Sequence, residues 1–234
     1  GVTYDGAFAH DFRIHGKDED ERRHFNERFA LLTPLVKAWC TELVNEVTSI
    51  GIQVHGGMGY IEETGVAQHY RDARISAIYE GTNGIQANDL VGRKVLRDQG
   101  AALGIYLEEI LETAERIESQ KRLKPIAAKL IEAVNNLNSA SQYLIGAASS
   151  NQKFVGAIAH NYLMMMGYVA GAWYMARSAE KAITEVHGSD KVFYEKKLTS
   201  VDFYFTQLLP RHKSYQEAVM SGAEVGISLS EASF

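Results

Sequence analysis

Proline occurs only three times in 234 residues, and that scarcity constrains the fold more than any other feature. Proline breaks helix interiors, and long stretches of this chain run without it. Such stretches favour helices over a many-stranded β fold. The length suits one large domain or two small ones. With 46% hydrophobic and 23% charged residues, the chain can fill a core.

Apolar spacing then places the helices. Residues 1–17 are mixed and aromatic-bearing, and read as the tail of a preceding element. Asp18, Glu19, Asp20 and Glu21 stand where a helix should begin, since acidic side chains favour the positive end of the helix dipole. Phe25, Phe29 and Leu32 follow at helical spacing. Thr33–Pro34 is either a new N-cap with a first-turn proline or a kink in one long helix. Leu35, Trp39, Leu43, Val47 and Ile50 continue at a spacing near 3.6 and predict a core-facing helix.

From Gly51 to Gly65 the character changes. Gly51, Gly56, Gly57, Gly59 and Gly65 imply close backbone approach or positive φ. Val66 to Ile78 predicts a further helix, Tyr79–Glu80–Gly81–Thr82 interrupts it, and Ile85 to Leu96 resumes it, with Gly100 as a stop. Arg97–Gly100 is a linker candidate that divides the chain into 1–100 and 101–234. In the second part Leu103, Tyr106, Leu107, Ile110, Leu111 and Ile117 line one helix face, opposite Glu108, Glu109, Glu112 and Glu115. Helices also follow over Ile126–Ile145, Lys153–Val186, Lys191–Leu209 and Arg211–Met220. The expected fold class is all-α: a helical bundle followed by a second helical bundle.

Several function classes fall away. The net charge is −5 and no basic stripe carries interleaved aromatics, so nucleic-acid binding is not expected. Cys40, the only cysteine, excludes a disulfide framework and fits a reducing, cytoplasmic setting; it reads as a buried core residue. No secretory signal opens the chain. Gly1 in place of an initiator Met suggests a processed or truncated chain. Phe154 to Ala176 runs 23 residues without a formal charge, long enough to span a bilayer. His160 and Asn161 near its middle would be costly in lipid. A buried helix is expected there, with Met164, Met165 and Met166 as core filler.

The chemistry concentrates between Gln53 and Gln86. The glycine-rich turn Gln53-Val54-His55-Gly56-Gly57-Met58-Gly59-Tyr60 could cradle a phosphate-bearing ligand through backbone N–H groups, or simply permit tight turns. Arg71, Asp72 and Arg74 read as structural ion pairs. His55 and His69 lack a third partner, so no metal site is expected. Glu80 is either a solvated loop glutamate or, among Ile78 and Tyr79, a desolvated base.

Together, the turn, Tyr70-Arg71-Asp72-Ala73-Arg74-Ile75 and Ile78-Tyr79-Glu80-Gly81-Thr82 through Ile85-Gln86 resemble, in that order, the C-terminal signature of acyl-CoA dehydrogenases. Ile78 to Gln86 followed by Asp89-Leu90-Val91-Gly92-Arg93-Lys94, together with Leu32 to Thr41, resembles the long-subunit bacterial branch with a C-terminal helical extension. The resemblance implies an oxidoreductase of fatty acid β-oxidation that uses FAD and an acyl-CoA substrate. It implies Glu80 as the catalytic base for the α-proton. Gly81 matches the position packed against the substrate thioester. Gln53, Val54, His55, Gly56 and Gly57 match positions contacting the FAD of a neighbouring subunit, and Thr82, Asn83 and Gly84 match positions contacting FAD after the base. Electron-transfer flavoprotein is the implied electron acceptor, and a homodimer or homotetramer the implied assembly. An acyl-CoA oxidase and a non-catalytic dimerisation module share the fold. The family's N-terminal and middle domains are not recognised in these residues, so the chain alone is expected to be colourless and inactive.

Overall fold

A computed structural model describes residues 1–148 and 152–224 together with residue 228. All regular elements among the described residues are helical. The first, α1, is Val2–His15. Its buried face consists of Val2, Asp5, Gly6 and Ala9, small or charged residues that make no apolar stripe. Helix α2, Glu19–Pro34, is capped by Asp18, whose Oδ1 accepts from the Glu21 N–H at 2.8 Å. Glu21 Oε2 accepts from the Lys17 N–H at 2.6 Å, a reciprocal arrangement that satisfies two free donors at the helix start.

Pro34 lies inside a continuous helical path and does not open a new helix. Having no N–H, and with a ring that crowds the preceding turn, it is followed by a π turn, Leu35–Trp39, that leads into α3, Cys40–Val54. The apolar residues at 35, 39, 43 and 47 recur every four positions, and the wide turn absorbs that drift. Beyond it come α4 (Gly57–Tyr60), a single 3-10 turn (Glu62–Thr64) and α5 (Val66–Ile75). After a non-helical loop, α6 (Asn83–Asp89) continues as a second π turn, Leu90–Val95. Gly100, at φ 80°, ends that turn and starts α7. Asp98 accepts from the N–H groups of Gly100 and Ala102 at 3.0 and 2.9 Å.

Helices α7 (Ala101–Glu118), α8 (Lys124–Ala148) and α9 (Gln152–Glu185) pack side by side. Helix α10 (Lys191–Phe203), its terminal π turn Tyr204–Leu208, and α11 (Arg211–Met220) close around them. Every residue of α9 from Tyr162 to Trp173 is buried, including the three methionines. No helix among the described residues is long and apolar enough to cross a membrane.

One core runs from Val2 through Leu31, Leu35 and Trp39 to Ile110, Leu137, Val169 and Val219, so it is continuous across Arg97–Gly100. Trp39 is one link between the two halves. Its indole fills a slot on α9 where Gly167 and Gly171 carry no side chain: a Cβ at Gly167 would sit 2.3 Å from the ring. Tyr204 shares the slot and donates to the Tyr168 carbonyl at 2.9 Å. A buried ion group adds to the link. Arg28 pairs with Asp5 at 2.8 Å and with Glu109 at 2.5 Å, and the Tyr174 hydroxyl donates to Asp5.

The sequence expectation for α3 is only half correct. Leu35 and Trp39 are buried as predicted, but α3 itself buries none of its residues. Val47 is 63% exposed and Val54 77%. The apolar stripe is present, and no described residue covers its far end.

Candidate functional site

Residues 76–82 link α5 to α6 and carry Glu80. The loop reverses direction through two consecutive left-handed residues, Glu80 at φ 52° and Gly81 at φ 90°. That conformation costs a residue with a Cβ about 1–3 kcal/mol, and it persists where the surroundings enforce it. Glycine suits the second position: an added Cβ on Gly81 would also approach Gln86 Nε2 to 3.1 Å. Thr82 caps α6, its Oγ1 accepting from the Ile85 N–H at 3.3 Å. The Glu80 side chain is exposed, so these residues alone do not supply the desolvation the sequence suggests. Ile78, Tyr79 and Ile85 beside it are also exposed.

Asn83 enforces the loop. Its N–H closes across the loop onto the Ala77 carbonyl at 3.1 Å. Its side chain, 6% exposed, points inward to the junction of the first π turn with α3. Lys37 Nζ donates to Oδ1 at 2.9 Å; Nδ2 donates to Glu42 Oε1 at 2.8 Å and to Thr41 Oγ1 at 3.0 Å. Burial pushes the Lys37 ammonium below its ordinary pKa, against the opposing pull of Glu42 and Glu80. The Asn83 side chain is therefore part of the frame, not presented to a cofactor, while Thr82 and Gly84 remain exposed at the start of α6. Sequence reading missed Lys37, Thr41 and Glu42. The spacing of Lys37 and Thr41, four residues apart and so on one helix face, was the available signal.

The second patch is the turn after α3. Gln53, Val54, His55, Gly56 and Gly57 are all exposed. Gly56 has φ 58°, and a Cβ there would meet nothing within 4 Å, which leaves an open, flat backbone surface. His55 Nδ1 lies 2.9 Å from the Gly51 carbonyl. Gly59 must be glycine for a packing reason, because a Cβ would lie 2.3 Å from the Ile52 carbonyl oxygen. The hydrogen bonds of this turn stay local, and those of the Glu80 loop lead to α3 and the π turn before it. The two patches share a wall through the packing of α5 on α3, and the chain does not bring them into one pocket. An open turn of bare glycines beside exposed apolar side chains fits a large, flat, phosphate-bearing group such as FAD.

Of the three charged motif residues, Arg71 alone forms an ion pair among the described residues, at the surface. Arg71 forms a two-pronged pair with Glu62 at 2.8 and 2.7 Å, which holds the Glu62 carboxyl below its usual range. Cys40 lies 3.9 Å from the Thr3 hydroxyl, and burial pushes its thiol up. A groove of about 970 Å³ opens elsewhere, lined by Tyr4, Phe25, Arg28, Trp173, Arg177 and Tyr194 among others, and shares no residue with either patch.

Comparison with known proteins places these features. A family model described as "Acyl-CoA dehydrogenase, C-terminal domain" matches residues 14–95, and one described as "Acetyl-CoA dehydrogenase C-terminal like" matches residues 106–230. The chain is 42% identical over 203 residues to 3-methylmercaptopropionyl-CoA dehydrogenase of Ruegeria pomeroyi, a match covering 85% of this chain and 34% of that one. It is 29% identical over 231 residues to the broad-specificity linear acyl-CoA dehydrogenase FadE5 of Mycobacterium tuberculosis, covering 94% and 37%. The chain thus spans about a third of the length of the curated relatives it matches. The fold is similar to that of Caenorhabditis elegans ACDH-11, solved in complex with C11-CoA. The TM-score is 0.67 at 20% identity, covering 93% of this chain and 37% of that one.

Proposed function

The chain belongs to the acyl-CoA dehydrogenase family, and from that premise we propose that it is the base-bearing part of a flavin-dependent acyl-CoA dehydrogenase, with Glu80 as the base. The observation that carries this reading is the loop geometry. A glutamate is held in a left-handed conformation on a framed interruption between two helices, its carboxylate exposed beside apolar side chains. A solvated surface glutamate needs no such frame.

In the proposed reaction the Glu80 carboxylate takes the α-proton of an acyl-CoA thioester. That proton is weakly acidic, so the negative charge developing on the thioester oxygen needs donors preplaced for it. The Glu80 N–H is the donor this chain offers. Gly81 leaves room for the thioester. Bound FAD would supply the acceptor to which the β-hydrogen could pass as hydride. Gln53 to Gly57 would hold the flavin of a second subunit through their open backbone, and Thr82 and Gly84 would hold the flavin on the Glu80 side. The exposed apolar wall of Val47, Ile50 and Val54 is the surface on which the remainder of the enzyme, or a second subunit of a homo-oligomer, excludes water. Without that cover Glu80 stays wet, so the 234-residue chain by itself is colourless and inactive. Electron-transfer flavoprotein is the proposed acceptor.

The test is Glu80→Gln in the full-length flavoenzyme. General-base removal lowers kcat about 10²–10⁴-fold while the flavin spectrum persists. Turnover equal to the unaltered enzyme would exclude Glu80 as the base.

A further inference from the structure

We infer that Lys37 and Glu42 act together as positioning residues for Glu80, through the orientation of the Asn83 side-chain amide. The inference rests on the reading of Glu80 as the base. An asparagine amide is nearly symmetric in shape, and its two ends differ only in donor and acceptor character. Here charge decides between them. The Lys37 ammonium stands 2.9 Å from Oδ1, and the Glu42 carboxylate 2.8 Å from Nδ2. The flipped amide would set donor against ammonium and acceptor against carboxylate. The Ala38 carbonyl, which can only accept, favours the same orientation at 3.4 Å from Nδ2, while the Thr41 hydroxyl lies within reach of both ends of the amide, 3.0 Å from Nδ2 and 3.1 Å from Oδ1.

The amide in turn fixes the residue that closes the loop. The Asn83 N–H reaches back to the Ala77 carbonyl at 3.1 Å, so residues 78–82 hang between two points of one clamp. Within that short span the chain takes up the left-handed conformations of Glu80 and Gly81. The carboxylate's placement is therefore set from the π-turn end of α3, by side chains that need not touch the substrate. Charge-assisted hydrogen bonds, short and directional, are well suited to such a hold.

The design predicts an uncommon genetic behaviour. Lys37→Glu places two carboxylates against the amide, and Glu42→Lys places two ammonium groups there. Each single exchange should release Asn83. The double exchange restores one charge of each sign, and the amide need only flip to satisfy both.

Two readouts test this. In the 234-residue chain, amide hydrogen exchange at Asn83 should accelerate more than tenfold in each single variant and return to within about threefold in the double variant, because these half-buried charge-assisted bonds contribute to the local opening equilibrium. In the full-length flavoenzyme, kcat should fall about 10–100-fold in each single variant with KM for acyl-CoA little changed, as expected when a reacting group is misplaced by about 1 Å, and should recover in the double variant. Single variants indistinguishable from the unaltered protein in exchange and kcat would overturn the proposal. So would a double variant no better than the singles, since that marks fold damage and not amide orientation. The exchange readout needs no turnover. If Glu80→Gln keeps full activity while the exchange pattern holds, the base assignment fails and the clamp stands.

Discussion

Helices α3 and α9 carry similar apolar content and meet opposite fates. In α9 the run from Tyr162 to Trp173 is buried on every side, enclosed by α7, α8, α10, α11 and the first π turn. In α3 no residue is buried, and Val44, Val47, Ile50 and Val54 face outward. An apolar stripe therefore states that a helix has a partner, not that the partner belongs to the same chain. The bundle of α7–α11, with Trp39 from the first π turn in its slot, completes its core within this chain. The segment from α3 to α6 leaves an apolar face open among the described residues.

This contrast can be broken most forcefully at Trp39, where the two regions meet. Trp39→Ala removes the ring from the slot formed by Gly167 and Gly171. It should destabilise the chain by about 3–5 kcal/mol, the usual cost of emptying a large aromatic site, read as a lowered urea midpoint. A loss below about 1 kcal/mol would mean that the halves do not depend on this contact.

A smaller effect is expected inside the bundle, from pH. His212 is 2% exposed. Its Nδ1 lies 2.5 Å from the Leu209 carbonyl, and its Nε2 lies 3.1 Å from Asn136 Nδ2. With Nδ1 donating and Nε2 accepting, the ring is neutral, and burial holds its pKa below the ordinary value. The unfolded chain then binds the extra proton first, near the ordinary histidine value of about 6.5. The contribution of this group is complete above that pH and declines as pH falls toward the lower folded value. Urea melts from pH 8 to 5 should show the decline, and His212→Gln should flatten it. A decline of equal steepness in the variant would assign it to other groups.

The smallest effect belongs to the wall. Val47→Ser with Ile50→Ser should change the stability of the 234-residue chain by no more than about 0.5 kcal/mol, as for exposed positions free of special contacts. A cost of 2 kcal/mol or more would show that α3 is buried in solution after all. The same pair should disturb assembly of the full-length enzyme, measured by sedimentation.

Much of the architecture was legible because the helices of the second half announce themselves. Leu103, Tyr106, Leu107, Ile110 and Ile117 lie on one face and are buried as the spacing predicts. Arg211–Met220 forms over the expected residues. Helix α1 escaped notice for a physical reason: its inner face is Val2, Asp5, Gly6 and Ala9, and an aspartate satisfied by Arg28 looks like surface in a sequence. The π turns escaped because a gain of one residue per turn barely alters an apolar period. At the candidate site, motif order singled out Glu80 and the glycines of the turn. The inward role of Asn83 was hidden, since an amide between two glycine-rich steps reads as exposed until its partners are known.

The slot on α9 has a consequence for inheritance. Gly167 and Gly171 have value only while Trp39 and Tyr204 fill the space they leave. A helical extension placed on a body without a ring at position 39 would keep Tyr204 but leave the Trp39 part of the slot empty. Residue 39 and the α9 glycines are thus one unit of packing, and a hybrid that carries Gly167 and Gly171 should reach this chain's stability only when Trp39 travels with them.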